Sequence, residues 1–120
     1  MRHFKLQEFD SPDIPGSGIN MNSWFLQLLD SCRDEAGIPF HINSGFRTPQ
    51  HNASVGGVST SAHLKGLAAD IRAFTAKEKF LILDAAFKNH IKRIGIGSNF
   101  IHLDVDLSLP FPSVWVYNNK

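Results

Sequence analysis

The first hydrophobic pattern along the chain has the spacing of one face of an α-helix. Its apolar positions recur at i, i+4, i+7 and i+11: Phe25, Leu29, Cys32 and Ala36. Asn20 or Asn22 is placed to cap the N-terminus of this helix, and Gly37 is placed to end it. We therefore predict a helix from about residue 22 to Ala36, with Cys32 as an inert thiol on its buried stripe.

A second helix is predicted within the segment TAKEKFLILDAAFKNH, residues 75–90. Thr75 and Glu78 have the spacing of a capping box, which marks the N-terminus of a helix. Phe80, Leu83 and Phe87 follow at helical spacing, and we expect them to form the stripe that packs on the core.

Short apolar or alternating runs elsewhere predict β-strands. Their segments are IPFHIN (38–43), LAADIRAF (67–74), RIGIG (93–97), FIHLDVDL (100–107) and SVWVY (113–117). The order of elements is helix, strands, helix, strands, which argues for an α+β fold. We expect one small domain over residues 1–120, with a central antiparallel sheet flanked by helices.

Strict alternation divides the side chains of FIHLDVDL between two faces of a strand. The face toward the core is predicted to carry Ile101, Leu103, Val105 and Leu107. The opposite face then carries His102, Asp104 and Asp106, which form a row of potential metal ligands and bases.

A polar stretch of 23 residues, positions 44–66, precedes the strand that contains Asp70. Such a stretch inside a compact domain is either disordered or functional. Asp70 lies among apolar neighbours, where a carboxylate is costly to bury unless it is paired or bound to metal. Gly66 allows the tight turn that would fold His63 back beside Asp70. With His102, these residues would complete the two-histidine, one-carboxylate set of a catalytic zinc site.

The spacing alone leaves other interpretations open. Asp70 can instead pair with Arg72 or Lys65, and Asp104 can be a solvated strand residue. The other histidines are expected to be surface or satisfied core residues: His3, His41, His51 and His90.

Composition narrows the class of protein further. The length of 120 residues suits one domain, and 42% apolar residues indicate a globular chain. A net charge of +1 with scattered Lys and Arg argues against nucleic acid or an anionic membrane as a partner. A single cysteine excludes an intrachain disulfide. Without a signal peptide or a long apolar segment, we expect a cytoplasmic product, which would act outside the cell only if something else released it.

Three segments resemble one known family: FKLQEFDSPD, INSGFRTPQHNASVGGVSTSAHLKGLAADI and RIGIGSNFIHLDVD. The middle one carries the pattern SxHxxGxAxD as Ser61, His63, Gly66, Ala68 and Asp70. On these residues the chain is similar to the M15 zinc peptidases, in particular the D-alanyl-D-alanine carboxypeptidase and murein endopeptidase group. The resemblance implies a hedgehog/DD-peptidase-like fold and hydrolysis of peptidoglycan stem peptides by a zinc-activated water. A monomer is the default expectation for the oligomeric state. An enzyme of this kind would reach the cell wall if it were released, for example as a phage lysin.

The resemblance also implies roles for individual residues. His63, Asp70 and His102 correspond to the zinc ligands. Arg47 corresponds to the arginine that faces the substrate, and its fork would bind a carboxylate or polarise the scissile carbonyl. Ser61 would bind the substrate or shape the turn.

The general base is the uncertain member of the site. Relatives commonly carry a carboxylate a few residues before the last histidine ligand, whereas this chain reads GIGSNF there. Asp104 is the nearest substitute, either as the base or as a residue that orients a ligand, and Asp106 is a second candidate. The missing acid leaves an alternative function open, namely a non-catalytic zinc-containing module that binds cell wall or belongs to a phage particle.

Overall fold

Three helices and five strands occur in the part of the chain that the computed structural model describes, residues 1–118. The helices are Ser23–Ala36 (α1), Pro49–Ser54 (α2) and Ala76–Lys88 (α3). The strands are Ile42–Ser44 (β1), Ala68–Arg72 (β2), Arg93–Ile96 (β3), Phe100–Asp104 (β4) and Ser113–Val116 (β5). The last two residues of the predicted domain lie outside the described range. No helix within residues 1–118 has the length and apolar character needed to cross a membrane.

The prediction for α1 is confirmed. The Asn22 side chain, rather than that of Asn20, accepts the N–H of Phe25 at 2.9 Å and so caps the helix. All four residues of the predicted stripe are buried: Phe25, Leu29, Cys32 and Ala36. Burial raises the pKa of the Cys32 thiol to about 12, so this side chain stays protonated and unreactive.

The capping box of α3 is confirmed, but the face predicted to be buried is wrong. Phe80 and Phe87 are 67% and 57% exposed, and Leu83 is only partly buried. The buried face consists instead of Ile82, Ala85 and Ala86. Because alanine is small, it lets α3 pack closely on α1, where Cys32 Sγ lies 3.9 Å from the Ala85 carbonyl oxygen.

This difference predicts unequal costs for two substitutions in α3. Ile82→Ala should lower the free energy of unfolding by about 2–5 kcal/mol, because it leaves a cavity in the core. Phe80→Ala should change it by no more than about 0.5 kcal/mol, because the ring is largely in solvent. Chemical denaturation of both variants measures the difference. A larger loss for Phe80→Ala would contradict this assignment of the buried face.

The strands form one sheet in the order β1-β2-β4-β3-β5. The pairs β1/β2, β2/β4 and β4/β3 are antiparallel, as expected, whereas β5 pairs with β3 in parallel. The α+β assignment is therefore confirmed, with one parallel pair at the edge of a mostly antiparallel sheet. The apolar face of the sheet and the buried sides of α1 and α3 share a single hydrophobic core.

Predicted strand boundaries differ from the structure at β1 and β4. The run IPFHIN is extended strand only from Ile42, and β1 continues to Ser44. Strand β4 ends at Asp104, so Ile101 and Leu103 lie in the core whereas Leu107 is exposed in the following turn. The polar stretch before β2 is ordered by α2 and by a 3-10 turn, Ala62–Lys65.

Candidate metal centre

One row of side chains crosses the polar face of the sheet. Pairing places Ser44 beside Asp70, Asp70 beside His102, His102 beside Gly95, and Gly95 beside Trp115. These five positions come from five strands and lie on the same face, because side chains of paired residues point the same way. The row brings together two of the predicted ligands that are far apart in sequence.

His63 joins this row from the 3-10 turn that leads into β2. Ser61 begins the turn, and its Oγ accepts the N–H of His63 at 3.2 Å. Gly66 ends it in the left-handed conformation, with φ of 69°. A side chain at this position would collide with the Asn20 carbonyl, because a Cβ would lie 2.3 Å from that oxygen. The glycine therefore fixes the bend that returns His63 to the sheet, as the sequence predicts.

The three predicted ligand residues converge. One ligand atom from each of His63, Asp70 and His102 lies within 4.8 Å of the others. Asp70 Oδ1 is 3.4 Å from His63 Nε2 and 2.9 Å from His102 Nδ1. Both imidazoles are buried, so the site is shielded from competing water.

Each histidine uses its other ring nitrogen to hold its orientation. His63 Nδ1 donates to the Gly45 carbonyl at 2.7 Å, and His102 Nε2 donates to Asp104 Oδ2 at 2.7 Å. These bonds leave His63 Nε2 and His102 Nδ1 directed at Asp70. A neutral imidazole fixed by a carbonyl or carboxylate is the usual arrangement of a histidine that binds a metal. The donor set and its supporting bonds therefore fit a zinc ion.

Burial and hydrogen bonding shift the pKa values of these groups. Burial lowers the pKa of His63, which favours the neutral ring that a metal requires. Burial alone would raise the pKa of Asp70, but its close contacts with the imidazoles of His102 and His63 outweigh burial and hold the pKa well below the usual range. For His102, burial is again outweighed, and the hydrogen bonds to Asp104 and Asp70 raise its pKa.

Asp104 lies behind His102 and is completely buried. One carboxylate oxygen accepts from His102, while the other accepts from Arg93 Nε at 2.8 Å and from the N–H of Asp106 at 3.0 Å. The Asp106 side chain turns away from the centre and pairs with Lys65 at 2.8 Å. Of the two acids considered from the sequence, the structure places only Asp104 in contact with a predicted ligand.

Arg47 lies next to the three predicted ligands. Its guanidinium contacts Ser44 Oγ at 3.0 Å, Asn52 Oδ1 at 3.3 Å and Asp70 Oδ2 at 3.4 Å. Its backbone N–H also donates to the His63 carbonyl at 3.1 Å. These contacts hold the fork at the edge of the metal centre.

An open cleft of roughly 380 Å³ lies over the centre. Its lining includes every residue predicted from the sequence as a ligand or substrate contact: Arg47, Ser61, His63, Asp70, His102 and Asp104. Sequence reasoning missed four other residues at the site, Asn52, Arg93, Trp115 and Tyr117. Alternation in SVWVY would place Trp115 and Tyr117 on one face of their strand, but only the strand order brings that face and Arg93 to this site.

Comparison with known proteins identifies the class of protein. The chain matches the family Peptidase M15 over residues 3–104, and it belongs to that family. It is also similar to the zinc D-Ala-D-Ala carboxypeptidase of Streptomyces albus G, with 37% identity over 67 residues. That similarity covers 56% of this chain and 25% of the length of the relative.

Proposed function

We propose that this chain is a zinc-dependent peptidase that hydrolyses peptidoglycan stem peptides, at either the terminal D-Ala or an internal bond. The observation that carries the proposal is the convergence of His63, Asp70 and His102 at the base of an open cleft. Membership of the peptidase M15 family and the name of the Streptomyces relative support the same reaction and substrate.

The zinc ion would be held by His63 Nε2, Asp70 and His102 Nδ1. The open cleft above these residues would admit the substrate. When bound there, zinc supplies Lewis-acid polarisation of the scissile carbonyl and activation of the attacking water. Asp70 compensates part of the cation's charge, and the neutral His63 adds no competing charge. The buried surroundings strengthen these interactions because they exclude bulk water.

Arg47 is the proposed contact to the substrate. Ser44 and Asn52 hold its guanidinium beside Asp70 in the lining of the cleft, where we place the scissile carbonyl. A fixed cation at this point stabilises the negative charge that develops on the carbonyl oxygen during attack. Ser61 would mainly support His63, since its hydroxyl accepts the N–H of that residue.

Asp104 is the proposed positioning residue for His102, the second of its two candidate roles. Its buried carboxylate is held between His102 and Arg93, on the side of the ring opposite Asp70. Asp104→Asn should therefore weaken zinc affinity by about 10–100-fold, as loss of such a partner does elsewhere. Competition with a chelator measures this change. Asp106→Asn is the control, because that side chain is buried but contacts Lys65.

The opposite pattern would contradict the positioning role of Asp104. If Asp104→Asn keeps the zinc affinity of the wild type but loses turnover, the carboxylate acts as the acid–base group. The two roles are thus separated by measuring affinity and turnover on the same preparation.

The proposed function is tested with a stem pentapeptide that ends in D-Ala-D-Ala. Purified protein should release free D-Ala or an internal fragment, identified by mass spectrometry, and the product distinguishes a carboxypeptidase from an endopeptidase. Chelation should stop the reaction and zinc should restore it. Lysis of whole cells on external addition would identify a lysin. Intact peptide after incubation with the zinc-loaded protein would overturn the hydrolytic function.

One observation favours a second candidate, a zinc module that binds cell wall without cutting it. Within residues 1–118, the carboxylates that line the cleft are Asp70 and Asp104. Both contact His102, so each is already engaged by a histidine rather than free to act as a general base. Sedimentation with purified peptidoglycan, followed by analysis of the stem peptides, tests this candidate. Binding that leaves every stem peptide intact would support it.

A further inference from the structure

Strand β5 borders the cleft but lies outside the part of the chain that matches the family. The match ends at residue 104, whereas β5 begins at Ser113 and pairs with β3. Trp115 and Tyr117 line the cleft and are half-buried, while Val114 and Val116 point to the other face and are exposed. Trp115 of β5 and Tyr117 directly after it thus lie on the face of the cleft, and the two valines lie on the other face.

The Trp115 ring reaches one of the proposed ligands. Its centroid is 5.5 Å from that of His102, and the guanidinium of Arg93 stacks on it at 4.8 Å. Tyr117 extends this surface away from the centre, since its ring lies 6.2 Å from Trp115 and 5.1 Å from Phe100. These three rings form a continuous aromatic wall that starts beside His102.

Gly95 allows the wall to approach the sheet. It pairs with His102 on one side and with Trp115 on the other. A Cβ at this position would lie 2.6 Å from Trp115 Nε1 and 2.6 Å from Tyr117 Cε2. Any side chain at residue 95 would therefore push both rings away from the metal centre.

The rim of the cleft adds exposed apolar side chains, Val55 and Val58, from the loop after α2. We propose that Trp115 and Tyr117 bind the side chain of the substrate residue next to the scissile bond, and that this side chain is small and apolar. The inference rests on the proposed function, since the alanine methyl groups of a stem peptide are side chains of this kind. Apolar walls around a few polar groups are typical of ligand sites.

Fluorescence tests the contact without relying on turnover. The chain has two tryptophans, Trp24 and Trp115, and Trp24 is exposed on α1. Trp24→Phe leaves Trp115 as the reporter. Emission of this zinc-loaded variant should change as soon as the D-Ala-D-Ala stem pentapeptide is mixed in. Trp115→Phe, which keeps only Trp24, should show no change.

Kinetics test the same contact in a second way. Trp115→Ala should raise KM for the pentapeptide by about tenfold or more, as loss of a central aromatic contact does in other interfaces. Gly95→Ala should have a similar effect, because it displaces the same rings. Zinc content should stay at the wild-type level in both variants. Val116→Ala is the control on the opposite face of β5 and should leave KM unchanged.

The outcomes separate this inference from the proposed function. Normal hydrolysis by Trp115→Ala and Gly95→Ala, with no emission change on mixing, would contradict the proposed contact between the aromatic side chains and the substrate. The proposed peptidase function would stand. An emission change without hydrolysis by the wild type would retain Trp115 as a contact to the bound peptide, as in the non-catalytic candidate, but would overturn the peptidase and the position of that contact next to a scissile bond. If the wild type hydrolyses no peptide and the Trp24→Phe variant shows no emission change, both the aromatic contact and the peptidase function are contradicted.

Discussion

His102→Ala is expected to lower kcat/KM for stem-peptide hydrolysis by about a thousandfold or more, an effect shared only with substitution of the other two proposed ligands, His63 and Asp70. The loss follows because His102 supplies one of three proposed zinc ligands, and metal catalysis contributes several kcal/mol of transition-state stabilisation. The measurement is the initial rate of product release at several peptide concentrations, with zinc supplied in excess.

A matched substitution shows whether this loss is specific. His41→Ala removes an exposed histidine that precedes β1 and does not line the cleft. Its rate should equal that of the wild type. A His102→Ala enzyme that retains more than about a tenth of the wild-type rate would contradict the role of His102 as a ligand, since loss of an essential metal cannot be so mild.

Arg47→Ala is expected to lower kcat by about 10²–10³-fold while zinc remains bound. The reason is that a fixed donor directed at the developing oxyanion is worth this much in comparable sites. Arg47→Lys should recover only part of the rate, because the ammonium cannot reproduce a planar fork held by Ser44 and Asn52. Rates and zinc content are measured on the same samples.

The control for Arg47 is Arg72→Ala, at the end of β2. The Arg72 guanidinium stacks on Phe74 at 5.0 Å and does not line the cleft. Its removal should leave kcat unchanged. An effect of Arg47→Ala confined to KM would instead indicate that Arg47 binds substrate and transition state equally.

Local patterns predict the helices unequally. In α1 the apolar residues other than Trp24 cluster on one face, so the buried side follows from spacing. In α3 apolar residues occur on nearly every side of the helix, so hydropathy does not decide between the face with Phe80 and the face with Ile82. Packing against α1 decides in favour of the side with Ala85 and Ala86, because small side chains permit close contact. That choice depends on a long-range partner, which periodicity does not reveal.

The residues of the candidate site also differ in how far the sequence predicts them. The pattern around His63 and Asp70 is local, and the glycine that bends the chain between them lies in the same segment. Asp104 could be placed beside His102 by alternation, but its role depends on the orientation of the ring and on Arg93 from another strand. Trp115 reaches the site only because β5 pairs in parallel with β3, an order that no single segment specifies.

Zinc content after exhaustive dialysis tests the metal centre most directly. Asp84 on α3 pairs with Lys88 and does not line the cleft, so Asp84→Ala is the carboxylate control. The wild type, His41→Ala and Asp84→Ala should each carry about one zinc per chain, as expected for a mononuclear catalytic site. His63→Ala, Asp70→Ala and His102→Ala should each lose it or bind it far more weakly. A wild type that takes up no zinc, or three ligand variants that keep it, would contradict the assignment of these residues to one zinc centre.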